Sequence, residues 1–512
     1  MFPGVLRGLC FSFLPPYLSI LSNSSCKILS KTVQSLKMSS CHNETVFIGK
    51  DKVIDLSHVK AFHTPEFVFI NGLFRKFGYE IRVAGGAVRD VLMKMEPKDI
   101  DLATTATPAQ MIDMFTKEEL RILNRNGESH GTVTVRINDT VNYEVTTLRI
   151  DSNQDGRHAD VSFTKEWQLD ASRRDLTVNS MFIDVSFGDL ETDTAGDGEH
   201  YSVHGKLYDF YNGYEDLKDR RIRFVGKPAD RIREDYLRIL RYFRFHARLA
   251  TNPDSHDEDT LKARRFSKHV LSYFFLQAIA DNTSGLEKIA GERIWMELRL
   301  IFGYPAAPSL LRYMAETGVT KACGLPAKPN MAEVERIYVG GILHRHANPA
   351  TCVAAALNSI DEVETLVRRI RPSNLEQSIL YFLVEWRQSL AADGSVTERL
   401  RREYLLSLDQ ARLKPIFTEA VCYLCTSEDL NAWLAWQAPR FPLNGTAVTE
   451  KWGVKGRQLR LVLRGLRMIW VESGCTMDKE ALLDEAVYQN VSRMPLEEVE
   501  VNCMIPAKRR KR

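Results

Sequence analysis

The hydrophobic and polar positions of this chain follow two rhythms. Up to about residue 205, short alternating runs are interleaved with helical ones; beyond it, nearly every apolar run repeats at helical spacing. Glu80 to Ala84 predicts a strand that enters Gly85-Gly86 and continues as a helix through Val91 and Leu92. Thr107-Pro108 supplies an N-cap and an N1 proline for a second helix. Thr132 to Ile137 and Asn142 to Leu148 alternate polar and apolar residues, the period of half-buried strands. Ala355 to Arg369 and Leu459 to Trp470 exemplify the later helical runs. The expected class is α+β, with a mixed-sheet head flanked by helices and an all-α remainder.

This pattern divides the chain into a head at 60–205, a helical neck at 206–305, a helical body and tail at 306–500 and a basic extension at 501–512. Within the head, Gly188 to Gly205 is rich in Gly, Asp and Glu without periodicity, and reads as an exposed acidic loop lacking calcium-loop spacing. Residues 1–40 carry Arg7, Lys27, Lys31 and Lys37 with many Ser and Leu, and the first acidic residue is Glu44. That composition is that of a mitochondrial transit segment or of an unstructured terminus. A start at Met38 would omit it, and Lys508-Arg509-Arg510-Lys511-Arg512 reads as a nuclear-localisation or nucleic-acid tail, or as a solvated charge run. The expected location is the mitochondrion, with cytoplasm and nucleus open to the shorter product.

A chain of 512 residues exceeds one compact core, so several domains are expected. Its 44% hydrophobic and 26% charged residues are ordinary for a globular protein, and no uncharged apolar run is long enough for a bilayer. A net charge of +3 does not make the whole surface attractive to nucleic acid, so RNA binding requires local basic patches. The nine cysteines are scattered and odd in number, which suits a reducing compartment. Cys422 and Cys425 form a CxxC with no second pair to complete a zinc site, so buried thiols are expected.

Candidate chemistry starts at Gly85-Gly86-Ala87-Val88-Arg89-Asp90, at the strand-to-helix junction. There glycines let a phosphate approach backbone amides, although a purely structural turn fits equally. Downstream stands Lys98-Asp99-Ile100-Asp101-Leu102. On an extended segment Asp99 and Asp101 point to one side while Ile100 points into the core. Paired carboxylates repel unless a divalent cation compensates, and Mg²⁺ takes hard oxygen ligands together with triphosphate oxygens. Two such ions would activate an attacking 3′-hydroxyl and hold the leaving pyrophosphate. Glu144, on a predicted strand, is a candidate third carboxylate or a partner in a cross-strand salt bridge.

The glycine turn, the DxD pair, Arg173-Arg174-Asp175-Leu176-Thr177-Val178-Asn179-Ser180-Met181 and Glu234-Asp235-Tyr236-Leu237-Arg238 occur in the order found in class II CCA-adding enzymes. The chain resembles that family, particularly its animal members, over about residues 60 to 305. Asn212-Gly213-Tyr214-Glu215-Asp216-Leu217 and Gly291-Glu292-Arg293-Ile294-Trp295 also resemble its motifs. The C-terminal half is similar more faintly, through Pro439 to Lys451 and the helix after it. The resemblance implies addition of C and A to tRNA 3′ ends from CTP and ATP with two Mg²⁺ ions, tRNA being recognised by stem shape. It further implies that Asp235 and Arg238 read the base, that Glu234 orients them, and that Gly85, Gly86, Arg89, Arg174, Arg241 and Arg244 hold the nucleotide.

The neck can be read physically as well. On an ideal helix, Ile232, Tyr236, Ile239, Leu240, Phe243 and Ala247 form an apolar stripe, with Asp235, Arg238, Arg241 and Arg244 off it. Asp235 and Arg238 are then i,i+3 neighbours, available to one ligand or to each other. Cytosine and adenine both place an amino donor beside a ring-nitrogen acceptor, and uracil and guanine reverse that order. A carboxylate beside a guanidinium therefore accepts the first pair and meets like with like in the second.

Arg460, Arg464 and Arg467 recur opposite Leu459, Leu463, Leu466 and Trp470, a basic stripe for tRNA phosphates or a solvated face. Arg264 to Gln277 interrupts a neck segment that is continuous in the family, as a retained intron or a lineage-specific extension would. Two other functions fit some of these motifs: a poly(A) polymerase adding only ATP, and a tRNA-binding protein without catalysis.

Overall fold

The computed structural model describes residues 47–48, 52–124, 127–152, 160–192, 199–250, 276–392 and 394–494. The expected targeting segment at 1–40, the basic extension at 501–512 and all but the last two residues of the 264–277 insertion lie outside them. No helix among the described residues is long and apolar enough to cross a membrane.

The strands are β1 (Phe47–Ile48), β2 (Val53–Asp55), β3 (Ile81–Ala84), β4 (Asp101–Thr104), β5 (Arg121–Asn124), β6 (Thr132–Ile137), β7 (Val141–Thr147), β8 (Arg149–Ser152), β9 (Asp160–Phe163), β10 (Phe182–Thr192) and β11 (Glu199–Tyr208). Nine of them form one sheet in the order β1-β2-β11-β10-β3-β4-β7-β6-β5, while β8 and β9 pair as a separate ribbon. Only β4 and β7 run parallel in the large sheet; its other pairings are antiparallel. The expected alternation appears in β6, whose Val133, Val135 and Ile137 are buried.

Helices α1 (Pro65–Lys76), α2 (Gly86–Leu92) and α3 (Pro108–Lys117) cover the sheet. Thr107 starts α3 through a complete capping box with Gln110.

The described parts of the acidic stretch at 188–205 are strand rather than loop. β10 and β11 run through it, with Phe187 opposite Val203 and Leu190 opposite Tyr201, and only 193–198 fall outside the described residues. Hairpin pairing is made by the main chain, so it persists where apolar alternation ends. The sheet therefore extends beyond both ends of the 60–205 span, from β1 to Tyr208.

After α4 (Trp167–Ser172) and α5 (Gly213–Lys218) come α6 (Pro228–Glu234), α7 (Arg238–Leu249), α8 (276–282) and α9 (Gly291–Ile301). The continuous helix expected through Asp235 is broken there. Asp235 is extended at φ −148° and ψ 108°, and its Oδ1 accepts the Leu237 amide at 3.0 Å, restarting the chain as α7. The apolar period runs across the break unchanged, which is why periodicity alone predicts one helix. Burial of Ile239, Leu240, Tyr242 and Phe243, worth about 1.5–3 kcal/mol for each large apolar side chain, holds α7 in place within the neck. One apolar cluster spans from Ile54 in the head to Trp433 in the body, and a second, around Val448, Leu466 and Trp470, forms the tail core.

Candidate active site

The parallel pairing of β4 and β7 places Asp101 directly opposite Glu144. Asp99 lies in a bend before β4 and is exposed, while Ile100 between the two aspartates packs against the core. The two aspartates therefore share a segment but not a strand. Asp101 opens into a cleft, yet the walls crowd it. This desolvation, followed by the charges of Glu144 and Asp99, pushes its carboxyl above the usual range, and Arg174 partly offsets the rise. Among the described residues Glu144 has no ion-pair partner, so it is not the salt-bridge residue that its strand position also allowed.

Among the described residues no three His, Cys, Asp or Glu side chains form a protein-only metal cage. Hard carboxylate oxygens that repel one another at the edge of an open cleft suit a cation shared with a polyphosphate.

The glycine turn forms one edge of this cleft. Gly85 has φ +64°, and a Cβ on it would stand 3.1 Å from Arg174 Nη1, so a side chain there is disfavoured by both backbone and space. Its amide donates to the Met181 carbonyl at 3.3 Å. The Gly85 N–H thus ties β3 to the segment before β10 and is not offered to a phosphate. Arg89 donates to Asn179 Oδ1 at 2.7 Å and pairs with Asp90 at 3.0 Å, and burial pulls its guanidinium below the ordinary value. Arg174 is held by Asp170 at 3.1 Å and donates to the Asn179 carbonyl at 3.2 Å.

The neck supplies the facing wall of a cleft of about 830 Å³ that includes Gly86, Asp101 and Glu144 on one side and Asp235, Arg238 and Arg241 on the other. Arg238 is buried and donates to the Arg231 carbonyl at 3.1 Å, Glu234 at 2.6 Å and the Arg173 carbonyl at 2.8 Å. Glu234 orients Arg238 but not Asp235. That carboxylate is fixed instead by the Leu237 amide and by Arg293 of α9, each at 3.0 Å.

Arg241 binds Asp175 at 2.6 Å. Burial acts against ionisation of both, and their mutual attraction outweighs it, holding the Asp175 carboxyl low and the Arg241 guanidinium high. Arg244 pairs with buried Glu297 at 3.1 Å, and burial raises the Glu297 carboxyl. The guanidinium carbons of Arg89, Arg241 and Arg244 lie 5.1, 5.8 and 4.5 Å from the Phe245 ring centre, so one aromatic ring gathers three cations from two elements.

Arg149, Asp151, Asp170, Asp175, Arg248 and Arg293 also line this cleft, although sequence pattern alone does not mark them as site residues. Asp175 and Arg293 lie inside stretches with recognisable family motifs, but their roles follow from cross-element pairing that no spacing reports. The tail stripe is only partly a stripe. On helix Gly456–Glu472, Arg460 is exposed, whereas Arg467 stacks 4.6 Å from the Phe441 ring centre and donates to the Leu405 carbonyl at 2.9 Å. Desolvation pulls Arg467 below its ordinary value, and its contacts with Phe441 and Leu405 tie it into the packing of the tail.

Residues 81–223 match the family model of the poly A polymerase head domain, and residues 275–323 match that of the probable RNA and SrmB-binding site of polymerase A. With the mixed-sheet head and the carboxylates facing an arginine-rich wall, these matches define a nucleotidyltransferase. The chain is 37% identical over 426 residues to the mitochondrial CCA tRNA nucleotidyltransferase 1 of Danio rerio, covering 83% of this chain and 91% of that one. It is 38% identical over 436 residues to the same enzyme of Homo sapiens, at 82% and 91% coverage. The chain belongs to the CCA tRNA nucleotidyltransferase family. The fold is shared with the Bacillus stearothermophilus CCA-adding enzyme in complex with CTP, at a TM-score of 0.59 and 24% identity, over 84% of this chain and 98% of that one.

Proposed function

We propose that this protein adds CCA to tRNA 3′ ends from CTP and ATP. The observation that carries this reading is a single cleft with Asp101 and Glu144 on its head wall and Asp235 and Arg238 on its neck wall. At each step the RNA 3′-oxygen forms a bond to the α-phosphorus of the incoming triphosphate. The bond to pyrophosphate breaks, and the hydroxyl proton leaves.

Asp99 and Asp101 would hold Mg²⁺ in this reading, with Glu144 beside Asp101 as a further carboxylate. When bound, Mg²⁺ supplies Lewis acidity at the attacking and leaving oxygens. Arg89, Arg174, Arg241 and Arg244 line the path of the triphosphate and neutralise its charge. Asp235 accepts from the amino group of cytosine or adenine. Of the five N–H groups of an arginine, three on Arg238 are engaged, leaving Nε–H and one Nη2–H for the ring nitrogen and the adjacent cytosine carbonyl. Uracil and guanine would set donor against donor and acceptor against acceptor, at a cost of roughly 1–3 kcal/mol.

The protein is proposed to act in mitochondria, the compartment named for its relatives, with residues 1–40 as the targeting segment and Met38 as the start of a cytoplasmic or nuclear product. Imaging start-codon variants tests that assignment. Activity is tested by incubating the protein and Mg²⁺ with tRNA trimmed of its 3′ end, with CTP and ATP supplied separately and together. Three defined additions are expected. A long A tail would favour a poly(A) polymerase, and no incorporation would favour a tRNA-binding protein without catalysis.

A further inference from the structure

We infer that Arg293 is a positioning residue for nucleotide selection, acting through Asp235. The inference rests on the reading of Asp235 as the base acceptor. Asp235 sits at the break between α6 and α7, where no helical backbone constrains it. Two contacts set its carboxylate plane: the Leu237 amide on Oδ1 and Arg293 Nη2 on Oδ2, both at 3.0 Å. Each carboxylate oxygen has a second acceptor direction, so both contacts leave Asp235 able to take an amino hydrogen while deciding where that acceptor points. With Arg293 removed, the carboxylate keeps one anchor and turns about it, and an acceptor that turns can meet a donor in more than one base frame.

Arg293 is well placed for this task. Gly291 begins α9 against helix Ile360–Ile370, and a Cβ on it would stand 2.0 Å from the Arg369 carbonyl oxygen. The start of α9, and with it Arg293, is therefore braced by the body as well as by α7. Ile294 and Trp295, next to Arg293, are buried. The Arg293 side chain itself is 45% exposed at the cleft edge, where an ion pair contributes little to stability. Its cost in ordering is matched by a geometric return: a selecting carboxylate braced from two elements.

The test is competition between CTP and UTP in single-nucleotide addition to trimmed tRNA, with Mg²⁺. Arg293→Ala should raise the UTP/CTP ratio of kcat/KM by about tenfold. Arg293→Lys, which keeps the charge, should recover part of the selectivity, and the thermal midpoint should change little in either. Asp235→Ala should relax selectivity by itself, and adding Arg293→Ala to it should produce no further change. If Asp235→Ala relaxes selectivity and Arg293→Ala does not, the inference about Arg293 is overturned and the reading of Asp235 stands. If Asp235→Ala leaves selectivity unchanged, the reading of Asp235 fails and this inference with it. Additive effects would also overturn it, because Arg293 would then act independently of Asp235.

Discussion

Asp101 on β4 and Glu144 on β7 are direct partners across a parallel strand pair, two carboxylates facing one cleft, and the charge of Asp99, two residues away, also acts on Asp101. Replacing Asp99 or Asp101 with Ala should reduce nucleotide incorporation to background. Glu144→Gln keeps shape and removes charge, and should lower kcat by about 10²-fold, the scale for losing one electrostatic interaction with a transition state. Near-wild-type rates for either aspartate variant would refute their role as metal ligands.

The same crowding has a measurable consequence without metal. Desolvation against the cleft walls, followed by the charge of Glu144, raises the carboxyl of Asp101, an otherwise exposed residue, so its protonated form favours the fold. A raised folded-state value means that this contribution is present below the ordinary carboxylate range and is lost as pH rises through the shifted one. In metal-free protein Asp101→Asn should therefore raise the thermal midpoint at neutral pH and leave it nearly unchanged in acid. A lower midpoint at neutral pH would contradict the like-charge account.

Arg241 and Asp175 predict a different failure. Arg241→Ala leaves Asp175 buried without its cation, at a cost of about 3 kcal/mol in chemical denaturation. Changing both, Arg241→Met with Asp175→Leu, should recover much of that stability but not nucleotide binding. Failure to recover stability would mean that Asp175 serves the fold chiefly through its bonds to Leu176 and Asn179.

How much of this was legible in the chain differs by feature. β6 and α3 follow from alternation and from the Thr107-Pro108 cap, because both signals are local. The hairpin of β10 and β11 was hidden, since its outer part lacks the apolar alternation by which strands are read. The break at Asp235 was hidden for the opposite reason: α6 and α7 keep one apolar period across it. Asp99 and Asp101 were visible as a motif, but Glu144 acquired its place only through the parallel register. Arg293 reaches the cleft from α9 and Glu297 reaches Arg244, each more than fifty residues along the chain from its partner.

The proposed contact of the tail with tRNA predicts different outcomes for two arginines that share a stripe. Arg460→Ala should weaken tRNA binding and reduce its salt dependence, by about 0.7–0.9 in the log–log slope for each phosphate no longer neutralised. Arg467→Ala should instead lower stability, because it packs on Phe441 and donates to Leu405. Equal salt-slope changes in the two would contradict the packing role of Arg467.

Asp235 and Arg238 are proposed to choose the nucleotide without a template. The direct measurement is incorporation from an equimolar mixture of the four nucleoside triphosphates onto trimmed tRNA, by wild type and by the Asp235→Ala, Arg238→Ala double variant. Wild type should take CTP and ATP in defined order, and the double variant should accept all four with metal binding retained. Unchanged selectivity in a folded, metal-binding double variant would contradict the claim.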